Sequence, residues 1–214
     1  MHVIALISQK GGVGKTSLAG HLAVEAELQR DGPVAIIDTD PQGSLSGWWN
    51  VRQEETPIFV RGELSKIKSQ LKRLAEQGIK LVVIDTPPAI TDNIKAVAQV
   101  ADLAIIPTRP SPHDLRAVGA TVDLVESVGT PMLFIVNGAA NRARITGDAA
   151  VALSQHGTVA PVTIYQRTDF AVSMIDGRTV GEFNPGSKSA SEITDLWAYV
   201  KKRLRKIVKE PAYA

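Results

Sequence analysis

A glycine-rich loop lies between a strand-like run and a helix-like run near the start of the chain. It reads Gln9-Lys10-Gly11-Gly12-Val13-Gly14-Lys15-Thr16-Ser17. Glycines have no Cβ, so several backbone N–H groups can turn toward one anion, and the N-terminus of the following helix adds positive potential. Lys15 supplies a full charge, and the Thr16 hydroxyl is placed to bind Mg²⁺. The pattern predicts a phosphate site whose binding residues are Gly11, Gly12, Val13, Gly14, Lys15, Thr16 and Ser17.

Strand-like and helix-like segments alternate along most of the sequence. Apolar runs without alternating polar residues are typical of strands buried on both faces, and they occur at 3–7, 34–37, 81–84, 103–106 and 132–136. We therefore predict an α/β fold, a doubly wound and mostly parallel sheet with helices on both faces. The length suits a single domain over residues 1–214. We also predict a strand through 159–164 and a last helix from about Ser189, with Ser189 and Glu192 as a capping box.

Composition excludes several classes of protein. The sequence has no cysteine, so it forms no disulfide, thiolate zinc site or iron–sulfur cluster. The sequence shows no basic leader with an apolar segment and no run of membrane-spanning length, so we expect a cytoplasmic protein. The net charge is only +2, yet residues 201–209 carry six basic side chains and no acid. Positive charge is therefore concentrated near the C-terminal end.

Three aspartates follow apolar runs. Alternate residues of a strand point to the same side, so Asp38 and Asp40 are predicted to face one pocket at the carboxyl end of their strand. A pair of turn-forming aspartates before Pro41 is the alternative. Asp85 ends another run of four apolar residues, the pattern that places a carboxylate near Mg²⁺ in P-loop nucleoside triphosphatases. These residues predict a nucleotide site with a bound cation.

The loop departs from the ordinary P-loop because Gln9 stands where that motif has its first glycine. The remaining stretch, Lys10 to Thr16, resembles the deviant Walker A motif of the ParA/MinD family of ATPases. The aspartate motifs resemble the same family, so the resemblance is strongest over the N-terminal part of the chain. It implies that the protein binds ATP with Mg²⁺ and forms a homodimer in the ATP-bound state.

The resemblance also implies roles for individual residues. The family's additional lysine reaches the phosphates held by the partner subunit, which is the role implied for Lys10; a solvated loop lysine is the alternative. The residue matching Asp40 positions the attacking water, and the one matching Asp38 lies near the Mg²⁺ ligands. Lys10, Lys15 and Asp40 are therefore the implied catalytic residues. The implied metal site comprises Thr16, Asp38 and Asp85.

Two further features have competing interpretations. Asn137 ends a predicted strand at the place where the family has an adenine-contacting residue, although an asparagine that only shapes a turn fits as well. Trp48 and Trp49 are predicted to be partly buried core, with an interface as the alternative.

The last predicted helix has an apolar stripe and a basic remainder. The stripe comprises Ile193, Leu196, Trp197, Val200, Leu204, Ile207 and Val208, and we expect it to be core. The basic residues suggest a DNA-binding surface formed by Lys201, Lys202, Arg205 and Lys206. A solvated helix end whose cations suit the helix dipole is the alternative.

The resemblance favours one function over two others. The first is a small ParA-type partition ATPase without an N-terminal DNA-reading domain, which binds DNA nonspecifically at the bacterial nucleoid and is stimulated by a ParB-like partner. The second is a MinD-like ATPase that binds membrane; the apolar residues of the last helix are needed in the core, which disfavours this. The third is a small-molecule P-loop synthetase, against which Lys10 counts.

Overall fold

Parallel strands form the centre of the molecule, and helices cover both of their faces. The computed structural model describes residues 1–89 and 92–207, of which the side chain of residue 93 is not described. Over these ranges the strands are β1 (His2–Leu6), β2 (Val34–Asp38), β3 (Ile58–Arg61), β4 (Leu81–Asp85), β5 (Leu103–Thr108), β6 (Met132–Ala139), β7 (Thr158–Val159) and β8 (Ile164–Tyr165). The helices are α1 (Lys15–Leu28), α2 (Ser44–Asn50), α3 (Ile67–Glu76), α4 (Asp92–Val100), α5 (Pro112–Glu126), α6 (Arg144–Ser154), α7 (Thr168–Ser173), α8 (Val180–Phe183) and α9 (Lys188–Leu204).

The strand order places the sequence motifs side by side. The order is β3-β2-β4-β1-β5-β6-β7, with β8 also pairing with β6, and the strand pairs are parallel. Leu6 at the end of β1 and Asp38 at the end of β2 both pair in register with Asp85 of β4. The loop after β1 therefore emerges beside both carboxylates. The predicted doubly wound parallel sheet is confirmed.

Two apolar layers hold the sheet between its helices. Successive strand residues point to opposite faces, so Ile4 and Leu6 pack on the side of α1 and α9, whereas Val3 and Ala5 pack on the side of α3, α4, α5 and α6. Trp48 of α2 is 5% exposed and belongs to the first layer, which confirms the core interpretation. Within the described part of the chain, none of the helices has the length and apolar character needed to cross a membrane.

The predicted strand over 159–164 is wrong, because two short strands replace it. β7 pairs with the first half of β6 and β8 pairs with its second half, so the two short strands lie next to successive parts of β6. Pro161 lies between them and has no N–H to donate to a ladder, which is why pairing is interrupted there. The short helices α2, α7 and α8 were not predicted, since none is long enough to show a clear helical period.

The start of α9 also differs from the prediction. Ser187 caps the helix, its hydroxyl accepting a hydrogen bond from the Ala190 N–H at 3.1 Å. Ser189 lies inside the first turn, and its hydroxyl donates instead to Asp169 at 3.1 Å. Glu192 accepts from the Arg167 guanidinium at 2.6 Å, so the predicted capping box of Ser189 and Glu192 is wrong. The apolar stripe is buried from Ile193 to Leu204 and partly buried at Ile207; Val208 lies outside the described residues.

Arg52, just after α2, connects that helix to α8. Its guanidinium donates to both carboxylate oxygens of Glu182, at 2.9 and 2.5 Å, and to the Gly177 carbonyl at 2.7 Å. The Arg52 side chain is only 3% exposed, and it also lies over the ring of Trp48. Bidentate pairing with a carboxylate fixes both position and orientation. The segment after Asp40 is therefore tied to the C-terminal part of the fold.

Candidate nucleotide site

The loop between β1 and α1 has the backbone of an anion-binding turn. Gly12 has φ of 73° and Gly14 φ of 94°, a left-handed conformation that favours glycine. Gly14 is also the residue before the first turn of α1, so the free N–H groups of that turn point toward the loop. A Cβ at Gly14 would lie 2.2 Å from the Asn137 amide nitrogen. The backbone conformation thus favours glycine at this position, and a larger residue would also displace the Asn137 amide from the loop.

Asn137 supports the loop from β6. Its amide nitrogen donates to the Val13 carbonyl at 2.6 Å, across 124 residues of sequence. The strand continues past it to Ala139, so Asn137 does not end its strand as predicted. The structure therefore places Asn137 against the phosphate loop, while its contact with adenine stays a prediction.

Lys15 is the buried cation of the site. It is 6% exposed, and its ammonium donates to the carbonyls of Ser8 at 3.3 Å and Lys10 at 3.4 Å. Burial lowers the pKa of Lys15, and the charges of Asp85 and Asp40 act in the opposite direction. Lys10, by contrast, is exposed. The two lysines of the loop thus differ in environment, one facing inward and the other solvent.

Asp85 and Thr16 form the part of the site that fits a cation. The Thr16 hydroxyl donates to one Asp85 carboxylate oxygen at 2.6 Å, and the other oxygen is buried without a hydrogen-bond partner in the described structure. Burial raises the pKa of Asp85 to about 7, outweighing the hydrogen bond from Thr16, which lowers it; the charge of Asp38 raises it further. A hydroxyl beside an unsatisfied carboxylate matches the oxygen ligands of Mg²⁺. The residues present therefore fit this ion.

Asp38 is held by the first turn of α2. One carboxylate oxygen accepts from the Ser46 N–H at 2.8 Å and from the Ser46 hydroxyl at 2.7 Å, and the other accepts from the Asp40 N–H at 3.0 Å. These bonds use the carboxylate to position the segment that follows β2. The place of Asp38 near a metal stays a prediction.

Asp40 lies at the mouth of the phosphate loop. One carboxylate oxygen accepts from the Gln42 N–H at 2.9 Å, so the residue does shape a turn as the alternative interpretation held. It also lines a cavity of about 380 Å³, and therefore reaches the pocket. The other residues that line this cavity are Gly11, Gly12, Gly14, Lys15, Thr16, Ser17, Ser44 and Pro88.

Two residues near the site were missed by sequence reasoning. The Thr39 hydroxyl donates to the Asp85 carbonyl at 2.6 Å and so joins the ends of β2 and β4. His21, one turn after Ser17, is 1% exposed, and its Nδ1 lies 2.7 Å from the Ser17 carbonyl. Burial lowers the pKa of His21 to about 4, so it is neutral at physiological pH. A histidine among the small and apolar residues of α1 was the available signal.

The basic residues of α9 lie away from this site. Lys201 forms an ion pair with Asp31 at 2.5 Å, whereas Lys202, Arg205 and Lys206 are exposed. Lys201 and Arg205 border the same cavity as His2 at the start of β1. The glycine loop follows the carboxyl end of β1, whereas the basic residues lie near its amino end. The basic residues and the nucleotide site therefore lie at opposite ends of the strands.

These features define a class of protein. A parallel sheet whose first strand leads through a phosphate loop into a buried helix, with a carboxylate from the neighbouring strand beside the loop threonine, is a P-loop nucleotide-binding fold. The family described as "CobQ/CobB/MinD/ParA nucleotide binding domain" matches residues 4–203. The chain belongs to this family of P-loop ATPases, as the motifs predicted.

Individual relatives agree with that assignment. "Maintenance of carboxysome distribution protein A" of Gloeobacter kilaueensis is 42% identical over 122 residues, which cover 56% of this chain and 55% of the relative. "Chromosome-partitioning ATPase Soj" of Thermus thermophilus is 30% identical over 155 residues, 58% of this chain and 61% of the relative. The matches thus span little more than half the length of these relatives. The structure of Cyanothece McdA in complex with ATP has a TM-score of 0.78 at 18% identity, covering 98% of each chain, and shows the fold.

Proposed function

We propose that the protein is an ATPase that positions a cargo on the bacterial nucleoid, binding DNA without sequence preference as an ATP-bound homodimer. The observation that carries the proposal is the contrast within the loop, where Lys15 is buried and Lys10 is exposed. A buried lysine serves the nucleotide of its own chain. An exposed lysine at the same loop is free to reach the nucleotide of a second copy.

The proposed reaction is hydrolysis of ATP to ADP and phosphate. Phosphoryl transfer depends mainly on positioning and on positive charge around the γ-phosphate. Lys15 and Lys10 of a second copy supply charge, and Asp40 orients the attacking water through a carboxylate oxygen. Thr16 and Asp85 would hold Mg²⁺, which supplies further charge when bound. Hydrolysis then requires association of two chains.

DNA binding is proposed for the exposed cations at the end of α9. Lys202, Arg205 and Lys206 are available to phosphates, whereas the ammonium of Lys201 is already paired with Asp31. We therefore assign Lys201 a smaller contribution than the other three. The apolar side of α9 is packed in the core, which argues against its use as a membrane-binding helix.

The cargo has two candidates. The first is DNA, as the name of the Thermus relative suggests; in this case we propose a ParB-like partner that stimulates hydrolysis. The second is a protein compartment, as the name of the Gloeobacter relative suggests. The proposed cycle of ATP-dependent DNA binding is the same for either cargo, so one set of assays tests it.

The test is a gel shift on random-sequence duplex DNA with ATP, ADP or no nucleotide, run beside vesicle co-sedimentation. We expect DNA binding only when ATP is present, an affinity for DNA that decreases steeply with salt concentration, and no vesicle binding. Replacing Lys202, Arg205 and Lys206 by Gln should weaken DNA binding and leave ATP binding unchanged. The matched control replaces Lys68, Lys72 and Arg73 by Gln, three exposed cations of α3 on the other side of the sheet. Vesicle binding without DNA binding would contradict the proposal.

Lys10→Ala tests the dimer mechanism separately. We expect it to abolish ATP hydrolysis while the monomer still binds ATP, because Lys15 remains in place. Hydrolysis at the wild-type rate in this variant, or hydrolysis whose specific rate does not depend on protein concentration, would contradict the role given to Lys10.

A further inference from the structure

A second basic element lies beside the end of α9. Lys80 precedes β4, and its backbone is fixed on both sides, since its N–H donates to the Pro33 carbonyl at 2.9 Å and its carbonyl accepts from the His2 N–H at 2.8 Å. The Lys80 side chain is exposed. A lysine on such a paired backbone has a defined position, unlike one on a mobile loop.

Lys80 and Arg205 line the same cavity of about 210 Å³. Its apolar wall includes Leu81, Trp197 and Leu204. Asp31 is the acid of the cavity, and its carboxylate is already occupied by Lys201 at 2.5 Å and by the Trp197 indole N–H at 2.9 Å. Among the described residues, neither Lys80 nor Arg205 forms an ion pair within 4 Å. Both cations on the rim therefore lie outside the ion pair of the cavity, and Arg205 interacts with the charge of Asp31 only at longer range.

We propose that Lys80 extends the DNA-binding surface from α9 to the amino end of β4, so that duplex phosphates are contacted by two separate elements. This rests on the proposed DNA binding. The partner is a polyanion with closely spaced charges, because Lys80 and Arg205 rim one cavity and the exposed Lys202 and Lys206 lie within three residues of Arg205. Duplex DNA carries one phosphate per ~3.4 Å of each strand, so neighbouring cations find neighbouring phosphates.

The two-element surface also fixes where DNA lies. The amino ends of β1 and β4 face the DNA, whereas the glycine loop lies at the carboxyl end of β1. Lys80→Gln should therefore change DNA affinity without changing ATP affinity, since no part of the nucleotide site is altered.

The experiment measures the dissociation constant for a random-sequence duplex against salt concentration, with ATP present, for wild type, Lys80→Gln, Lys80→Arg and Lys72→Gln. One phosphate contact contributes about 0.9 to the slope of log K against log salt, which corresponds to about 8-fold in affinity at 0.1 M relative to 1 M salt. We expect Lys80→Gln to lose about this much slope and affinity, and Lys80→Arg to retain both. Lys72→Gln removes the same charge from α3 and should match wild type.

The outcomes separate the two claims. In one outcome, wild type binds DNA and the triple variant of α9 binds it more weakly, while Lys80→Gln keeps the wild-type salt dependence. In that case this inference is wrong and the proposed function stands. If wild type does not bind duplex DNA with ATP, both are wrong. Unfolding midpoints measured for all four proteins show whether a change in affinity comes from a change in folding.

Discussion

Replacing His21 by phenylalanine should remove part of the protein's sensitivity to acid. The imidazole is buried in α1, and its ring meets that of Phe170 edge to face at 5.2 Å. Burial lowers the pKa of His21 from 6.5 to about 4, which outweighs the opposing effects of the Ser17 carbonyl and the charge of Glu182. The folded protein therefore resists a protonation that the unfolded chain accepts.

The magnitude follows from the two pKa values. Between pH 6.5 and about 4, the unfolded chain binds a proton at residue 21 that the folded protein does not, so stability decreases as the pH falls through this window. One pKa unit corresponds to about 1.4 kcal/mol. The free energy of unfolding should thus lose about 2 kcal/mol at pH 5 relative to pH 7.5, and about 3 kcal/mol once the window is passed, through His21 alone.

The assay is urea unfolding followed by circular dichroism at pH 7.5 and pH 5, for wild type and His21→Phe. The larger phenylalanine ring has the same packing cost at both pH values. This cost cancels when the difference in unfolding free energy between variant and wild type at pH 7.5 is subtracted from the difference at pH 5. We expect the variant to gain about 2 kcal/mol relative to wild type on going to pH 5. His21→Gln, which removes the ionisation with less bulk, should give the same gain, whereas His156→Phe, at an exposed position, should not. An equal pH dependence in wild type and both His21 variants would refute the reasoning.

Three further predictions concern the site and its support. Asn137→Ala frees the Val13 carbonyl and should weaken ATP binding roughly 5-fold, the equivalent of about 1 kcal/mol, by titration calorimetry; unchanged affinity would remove Asn137 from loop support. Asp85→Asn should abolish the effect of Mg²⁺ on nucleotide affinity. In EDTA it should also stabilise the protein at pH 8 but not at pH 3, because the pKa of Asp85 is raised from 3.8 to about 7 and ionising this carboxyl costs stability as the pH rises through that window. Equal differences between variant and wild type at both pH values in urea unfolding would contradict this. Arg52→Ala leaves Glu182 without its partner and should lower the free energy of unfolding by about 3 kcal/mol, whereas a loss below 1 kcal/mol would show that the pair is screened.

Local patterns were enough to predict the centre of the fold. The strands over 34–38 and 81–85 begin where their apolar runs begin and extend one residue beyond them, to the aspartate that ends each strand. The glycine loop was equally predictable, because its conformation depends on residues that are neighbours in sequence. Thr16 and Asp85 were each predicted near Mg²⁺ from the patterns of P-loop proteins, and the structure places them in direct hydrogen bond.

Contacts between distant residues were beyond the sequence. Nothing in the neighbourhood of Asn137 shows that it bonds to Val13, and nothing around Lys201 shows that Asp31 takes its charge. Ser189 and Glu192 have the spacing of a capping box. Their side chains instead form hydrogen bonds with Asp169 and Arg167, and the helix begins before Ser189. In each case the pairing was decided by which elements pack together, a choice that depends on the whole chain.

Helix α1 begins at the phosphate loop and ends shortly before Asp31, the residue that binds Lys201 of α9. Fourteen residues of helix span about 21 Å. The last turn of α1 is joined to α9, because the Thr194 hydroxyl donates a hydrogen bond to the buried Glu25 carboxylate at 2.9 Å. The same helix therefore has one end at the phosphate loop and the other next to Asp31, the residue that pairs with the basic end of α9.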